Sequence, residues 1–197
     1  MGDERVSSET TVLKRLPTSP ARRGLSPAPG LRQVMSQFAT GVTVLTAGGE
    51  DAHGMTANAF SSVSLEPPMV LCCVSKAARM HAAIVTAGSF GVNILSADQQ
   101  ELSKYFADWR RPDGIAQFEA VGYTVGGKTG VPLLTGALAW LECELTQVVA
   151  GGDHSIFLGR VVATSRGEGE HALVFYGGGY HHVDARARAA WRGRRSC

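Results

Sequence analysis

Residues 53–74 read HGMTANAFSSVSLEPPMVLCCV, and this stretch decides how the rest of the chain is interpreted. The first half is small and polar and lacks helical periodicity. The residues that follow Pro67 and Pro68 (69–75, MVLCCVS) are apolar and partly β-branched, which predicts a buried strand. Small side chains leave the backbone open to close approach by a flat ligand. We therefore interpret the stretch as a candidate binding surface beside a core strand.

The flanking sequence predicts more strands than helices. Amphipathic spacing favours short helices at 31–40 (ended by Gly41), 77–86 (stopped near Gly88) and 97–107, the last with Ser96 as N-cap. Further strands are predicted at 41–47, 90–95, near 121–125, 137–149, 155–164 and 171–176. Strands and helices do not alternate regularly, so a doubly wound sheet is not expected. The pattern favours a mainly β (α+β) fold, a β-barrel with short helices packed outside.

The charge distribution separates a central domain from two basic ends. The chain has 197 residues and a formal net charge of +2, but residues 31–183 hold 9 Lys and Arg against 13 Asp and Glu. The positive excess lies in a predicted flexible extension at 1–30 and in an Arg/Ala-rich tail at 184–197. A nucleic-acid-binding domain needs clustered cations on one face, so that class is disfavoured for 31–183.

The cysteines and the hydropathy indicate a cytoplasmic location. Cys72, Cys73, Cys143 and Cys197 show no CxxC or zinc spacing, and we interpret them as free thiols. Neighbours such as Cys72 and Cys73 alternate faces on a strand. No apolar run has the length of a signal peptide core or of a membrane span, so neither is expected.

Three common functional motifs do not fit this sequence. Residues 122–129 (GYTVGGKT) satisfy the phosphate-binding pattern GxxxxGKT, but Gly130, Pro132 and Gly136 make the required following helix improbable. We predict a hairpin turn at 126–130 instead. The six histidines lack metal-ligand spacing, so no metal site is predicted. The nucleophile elbow GxSxG is absent from the sequence.

A group of anion-binding side chains follows the buried strand. Ser75, Lys76 and Arg79 place a hydroxyl, an ammonium and a guanidinium close together, which suits a phosphate or diphosphate. A flat ring over the small residues together with a phosphate here suggests a nucleotide-like cofactor. The composition alone favours a plainer interpretation, a Ser/Thr-rich strand followed by a basic pair on the surface.

The chain resembles the small NAD(P)H:flavin oxidoreductases that serve as reductase components of two-component flavin-dependent monooxygenases. The resemblance runs from about Leu31 to Val183 in eight ordered blocks: FATGVTVLTA (38–47), GMTANAFSSVSLEPPMV (54–70), SK…R…H (75–81), FGVNIL (90–95), LSKYFA (102–107), PLLTGALAWLEC (132–143), GDHSIFLGRV (152–161) and FYGGGYHHV (175–183). It implies a split β-barrel of the FMN-binding type. It also implies a homodimer with sites near the subunit interface.

The resemblance assigns roles to individual residues. The isoalloxazine ring would be lined by Thr56, Ala57, Asn58, Ala59 and Phe60, with Ser61 and Ser62 on the ribityl chain or ring edge. The phosphate would be held by Ser75, Lys76 and Arg79, with His81 nearby and Phe106 packing toward the flavin. His154 would lie where the nicotinamide approaches, with Tyr180 as a second contact. At Ala78 and Met80, family members often carry hydroxyl residues beside the phosphate. This departure leaves open both the phosphate contacts and the choice between FMN and FAD.

The implied activity is hydride transfer from NADH or NADPH to FMN or FAD, with reduced flavin passing to a partner oxygenase. One alternative is a flavin-binding carrier or sensor on the same barrel, without reductase activity; the GDHSIFLG block favours the reductase. Another is an oxidase of the pyridoxamine-phosphate type, which would need more basic phosphate ligands than Lys76 and Arg79.

Overall fold

The structure, a computed structural model, describes residues 30–184. The predicted extension at 1–30 and the predicted tail at 184–197 lie outside the described residues, except for Gly30 and Asp184 at their borders. Within 30–184, strands outnumber helices, as the sequence predicts. No helix in this part of the chain is long and apolar enough to cross a membrane.

The helices are short and the longest strands form one hairpin. The helices are α1 (Leu31–Met35), α2 (Arg79–Ala87) and α3 (Gln100–Ala107), with 3-10 turns at Ala97–Gln99 and Gly114–Phe118. The strands are β1 (Thr40–Gly41), β2 (Thr43–Ala47), β3 (His53–Ala57), β4 (Phe60–Leu65), β5 (Pro68–Ser75), β6 (Ser89–Ile94), β7 (Tyr123–Val125), β8 (Pro132–Leu134), β9 (Ala139–Gly151), β10 (His154–Arg166), β11 (His171–Tyr176) and β12 (Gly179–Asp184).

Seven antiparallel strands form the main sheet in the order β3-β2-β6-β9-β10-β5-β4. The edge strands β3 and β4 are joined by only two residues, Asn58 and Ala59. So short a link spans roughly 11 Å at most, while seven strands laid flat extend over about 28 Å. The sheet must therefore curl until its edges approach each other. No ladder joins β3 to β4, so this is the predicted split barrel.

Two apolar clusters hold the domain together. One includes Leu45, Cys72 and Phe157 from the main sheet, and α2 packs against it through Met80 and Ile84. The other contains Val44, Leu95, Phe106, Phe118 and Leu173, and it joins α3 and the small sheet β1-β11-β12 to the main sheet. Because Val44 and Leu45 belong to different clusters, β2 is covered on both faces.

The structure differs from the sequence predictions at two places and adds strands at two others that the sequence left unassigned. The helix predicted at 31–40 ends at Met35, and Gly41 pairs in β1 with Val174 rather than capping that helix. The small, polar residues at 53–65 form two strands. Strand β5 alternates, with Val70, Cys72 and Val74 buried and the residues between them half-exposed, so only one face enters the core. The segment 179–184 is a strand that the sequence analysis did not predict.

Candidate functional site

The ends of β5 and β10 bring together three predicted site residues. His154 lies directly opposite Ser75 in the ladder. The next residue, Lys76, donates its backbone N–H to the carbonyl of Asp153 (3.0 Å) and its Nζ to the carbonyl of Gly152 (2.7 Å). An exposed ammonium, a hydroxyl and an imidazole thus share one strand end.

Helix α2 starts next to this strand end without a side-chain cap. Its N-cap is Ala78, so no side chain accepts from the backbone N–H groups of the first turn. Uncapped N–H groups beside cations form an environment that favours an anion. His81, one turn into α2, is fixed by Ser155 Oγ at 2.9 Å from its Nε2 and by the ring of Phe157.

A second group of predicted residues lies on β3. Thr56, Ala57, Asn58 and Tyr180 line a cavity of about 170 Å³ together with Val42 and Phe175. The Oγ1 of Thr56 donates to the carbonyl of Ser103 (2.6 Å), and the Ser103 hydroxyl lies 2.9 Å from the Tyr180 hydroxyl. These bonds tie β3, α3 and β12 into one wall.

The remaining residues predicted to contact the flavin ring lie in the two-residue link between β3 and β4 and on β4 itself. Ala59 accepts a hydrogen bond from the backbone N–H of Cys73 (2.9 Å), so the link is fixed to β5. Phe60 is half-buried against the core, whereas Ser61 and Ser62 are exposed. Both hydroxyl side chains are therefore open to a ligand.

A cavity of about 290 Å³ opens between β3, the start of α2 and the end of α3. Its lining includes Arg79 and Phe106, and it adjoins a cavity of about 380 Å³ that also contains Arg79. Phe106 is fully buried and packs beneath Gly54, where a Cβ would lie only 2.5 Å from the ring. The exposed guanidinium of Arg79 forms an ion pair with Asp113.

This cavity also contains groups that the sequence did not predict: His53, Trp109 and Arg111. His53 opens the quoted stretch, and Arg111 belongs to the run WRRPD. The charged pair Arg110–Arg111 was the only signal available, because the sequence does not show that a loop residue at 111 reaches β3.

His154 and Tyr180, predicted as two contacts for one nicotinamide, lie in different sheets. The Nδ1 of His154 is 2.8 Å from Asp153 Oδ1, and this hydrogen bond lowers the pKa of the Asp153 carboxyl. Among the described residues, Nε2 of His154 has no hydrogen-bond partner, so it is available to a ligand.

The GxxxxGKT segment is the predicted hairpin turn, lying between β7 and β8. Its N–H groups bind the chain's own carboxylate: Glu142 Oε2 accepts from Lys128 N (2.9 Å), Thr129 N (2.7 Å) and Thr129 Oγ1 (2.9 Å). At Gly126 a Cβ would come within 2.5 Å of that oxygen. Burial would raise the pKa of Glu142, but these hydrogen bonds outweigh it and lower the pKa.

Metal ligands are not grouped in the described part of the chain. Within residues 30–184, no cluster of three or more His, Cys, Asp or Glu side chains could hold a metal ion. Cys72, Cys73 and Cys143 are free thiols, with Cys72 buried and Cys73 half-exposed as the alternation predicts. Cys197 lies outside the described residues.

Comparison with known proteins identifies the class to which this barrel belongs. Residues 35–184 match the family described as flavin reductase like domain. A NADH-dependent FAD reductase of Streptomyces globisporus is 47% identical over 148 residues, which cover 75% of this chain and 81% of that protein. The chain therefore belongs to the flavin reductase-like family.

Solved structures agree with this assignment. BorF, the flavin reductase component of a bacterial two-component tryptophan halogenase, superposes with a TM-score of 0.76 at 47% identity, covering 78% of this chain and 96% of BorF. The NADH:FAD oxidoreductase SgcE6 of Streptomyces globisporus, solved in complex with NAD and FAD fragments, gives a TM-score of 0.74 at 43% identity. That match covers 80% of this chain and 93% of SgcE6.

Proposed function

We propose that this chain is a flavin reductase that transfers hydride from NADH to FAD and supplies reduced flavin to a partner monooxygenase. The observation that carries the proposal is the uncapped start of α2 flanked by Lys76 and Arg79, next to the open surface of β3. The choice of NADH and FAD is supported by relatives that are named NADH-dependent FAD or flavin reductases.

The donor set fits a flavin phosphate. Lys76 and Arg79 supply two exposed cations, Ser75 supplies a hydroxyl, and the first turn of α2 supplies backbone N–H groups. In the described part of the chain, Asp113 alone competes for Arg79, through an exposed ion pair that solvent screens. His81 stabilises this turn through its bond to Ser155 and is a positioning residue.

The flat ring fits the segment 56–62. Thr56, Ala57, Asn58 and Ala59 present backbone groups and small side chains, and Phe60, Ser61 and Ser62 continue the surface on β4. Backbone N–H donors aimed at the ring edge stabilise negative charge that develops there during reduction. Phe106 supports β3 from below through Gly54, and Tyr180 closes the small cavity beside Thr56.

When bound, flavin supplies an electrophilic N5 that accepts hydride from C4 of a reduced nicotinamide. The protein's part is to hold the two rings in contact and to exclude side reactions, without a nucleophilic side chain. His154, oriented by Asp153, presents its free Nε2 to the nicotinamide nucleotide. Tyr180 is the proposed second contact with the nicotinamide nucleotide. It lies in the small sheet and lines the cavity beside Thr56, so this contact is on the side of the site formed by β3.

The proposed unit is a homodimer in the cytoplasm, formed by the domain at 31–183. Large apolar side chains are exposed on the single chain, among them Leu65 (90%), Leu31 (77%) and Phe38 (66%). Such surface favours burial by a second copy. Sedimentation velocity tests the dimer, and a monomer at micromolar concentration would contradict it.

Steady-state turnover tests the function. Purified protein is assayed with NADH or NADPH against FAD, FMN and riboflavin. We expect oxidation of the nicotinamide only when flavin is added. Tight flavin binding without nicotinamide oxidation would instead identify a carrier or sensor, and no turnover with any pair would refute the reductase.

A further inference from the structure

Arg111 is held in one orientation at the wall of the 290 Å³ cavity. Its Nε donates to Oε1 of Gln117 (3.3 Å) and its Nη1 to the carbonyl of Asp108 (2.6 Å). Its Nη2 donates to the carbonyl of Gly54 and to Nε2 of His53, 2.9 Å away. Four hydrogen bonds fix the plane of the guanidinium, and all four acceptors are uncharged.

The His53 ring is neutral in this network. Burial, followed by the charges of Arg111 and Arg79, lowers the pKa of His53 to about 4. An imidazole whose Nε2 accepts from Arg111 is not an imidazolium, because that form carries a donor on both ring nitrogens. The imidazole therefore orients Arg111 without adding or cancelling charge.

No carboxylate neutralises Arg111 among the described residues. The nearby carboxylate of Asp108 is bound by Arg110 at 3.0 and 2.9 Å, and that of Asp113 is paired with Arg79. The ring of Phe106, with its centroid 6.0 Å from the guanidinium carbon, adds only a weak attraction. A half-buried cation without an anion is costly, and burial lowers the pKa of Arg111.

Arg111 and Arg79 face the same cavity, which begins at the proposed phosphate site. The lining runs from Ala77 and Ala78 at the start of α2 to Arg111 and the exposed indole of Trp109. A single phosphate at α2 would engage Lys76 and Arg79. Arg111 is then left for a second phosphate further into the cavity.

We propose that Arg111, oriented by His53 and Gln117, binds the diphosphate of a dinucleotide and so distinguishes FAD from FMN. The inference rests on the proposed function and names a specificity-determining residue within that site. An adenosine diphosphate group occurs in both FAD and the nicotinamide dinucleotide, and the test separates these two sources.

The test compares Arg111→Gln with the matched control Arg110→Gln, whose guanidinium is exposed and paired with Asp108. Calorimetric titration measures Kd for FAD, FMN, riboflavin, NAD⁺ and ADP. We expect Arg111→Gln to weaken ADP and FAD by about tenfold, as for one charge-assisted hydrogen bond, and to leave FMN and riboflavin within about twofold. Arg110→Gln should change none of these. Weakening of NAD⁺ and ADP without FAD would assign the diphosphate to the nicotinamide dinucleotide.

Equal weakening of FAD, FMN and riboflavin would overturn the inference, because it would indicate a structural role. Unchanged Kd values would overturn it too. If Arg111→Gln does not fold, competition in the wild type decides: ADP should displace FAD but not riboflavin, and failure to displace FAD contradicts the inference. A wild type that binds flavin and turns over NADH, combined with either negative result, leaves the proposed reductase standing.

Discussion

The turn 126–130 and the cavity beside α2 both have groups arranged to receive an anion, yet they are in opposite states. The turn directs its N–H groups at Glu142, which the chain itself supplies. Arg111 lines the cavity, and Lys76 precedes the lining residues Ala77 and Ala78 in the chain. Neither Arg111 nor Lys76 forms a salt bridge with a carboxylate of residues 30–184. The sequence motif pointed to the turn, whereas the unpaired charge lies in the cavity.

This difference shows that an anion-binding arrangement can bind a ligand only when no carboxylate of the protein itself occupies it. Three bonds from Lys128 and Thr129 to an almost fully buried carboxylate make the turn part of the structure. An open receptor instead retains its charge for a ligand, at some loss of stability. The predictions below test each side of this comparison.

Removing the internal anion should have the largest effect. Glu142→Ala leaves the N–H groups of Lys128 and Thr129 without an acceptor, and we expect a loss of about 4 kcal/mol in the free energy of unfolding. Urea denaturation measures it. The control is Glu144→Ala, an exposed glutamate two residues away that pairs with Arg160, which should cost less than about 1 kcal/mol. Equal losses for the two variants would show that the turn is not a structural receptor.

Acid should destabilise the cavity side through His53. The pKa of this imidazole is lowered from 6.5 to about 4 by burial and by Arg111 and Arg79. In the unfolded chain His53 is therefore protonated as the pH falls below about 6.5, whereas in the folded chain it is protonated only below about pH 4. The stability from neutral His53 is complete above pH 6.5 and falls by roughly 3 kcal/mol toward pH 4. Unfolding free energies from pH 7 to 4.5 should decline less steeply in His53→Gln; parallel curves would contradict the neutral ring.

Filling the floor of the cavity should have a smaller effect. Gly54→Ala places a Cβ against the Phe106 ring, and we expect a loss of about 2 kcal/mol together with weaker flavin binding. Gly127→Ala is the matched control in the turn, because no atom lies within 4 Å of a Cβ there. Thermal unfolding and flavin titration of both variants measure the difference. If Gly54→Ala has the stability and flavin affinity of the wild type, Phe106 does not support β3.

The smallest expected effect is the difference between substitutions of Lys76 beside the cavity and Lys128 in the turn. Lys76→Gln should raise KM for FAD and FMN about tenfold and leave riboflavin, which lacks phosphate, nearly unchanged. Lys128→Gln, in the GKT segment, should change none of them. A phenotype at Lys128 and none at Lys76 would reverse the assignment of the two receptors.

The strands of the fold were predictable where β-branched and apolar residues cluster, as at β2, β6, β9 and β10. The helix at 31–40 was overestimated for a physical reason. Its apolar spacing shows that one face requires burial, but residues 30–184 supply no surface that covers Val34 or Phe38, which are 52% and 66% exposed. Strand β12 was missed because GYHHVD has no apolar alternation and is held by pairing with β11.

The candidate site was predictable only where its residues are neighbours in the chain. Ser75, Lys76 and Arg79 follow one strand, and their grouping can be read directly from the sequence. His53 and Arg111 meet only because the loop after α3 folds back over β3. No local pattern encodes that contact, since Gln117 and the backbone of Gly54 also take part in it.

The two-residue link between β3 and β4 bears on how the domain folds. Bringing these two edges together closes a very short loop, so the loss of chain entropy is small. Pairing of β5 with β10, in contrast, joins Ser75 to His154 and must close a loop of nearly eighty residues. Such non-local pairing slows folding. We therefore expect the pairing of the β9–β10 hairpin with β5 to limit the folding rate, rather than the approach of the edge strands β3 and β4.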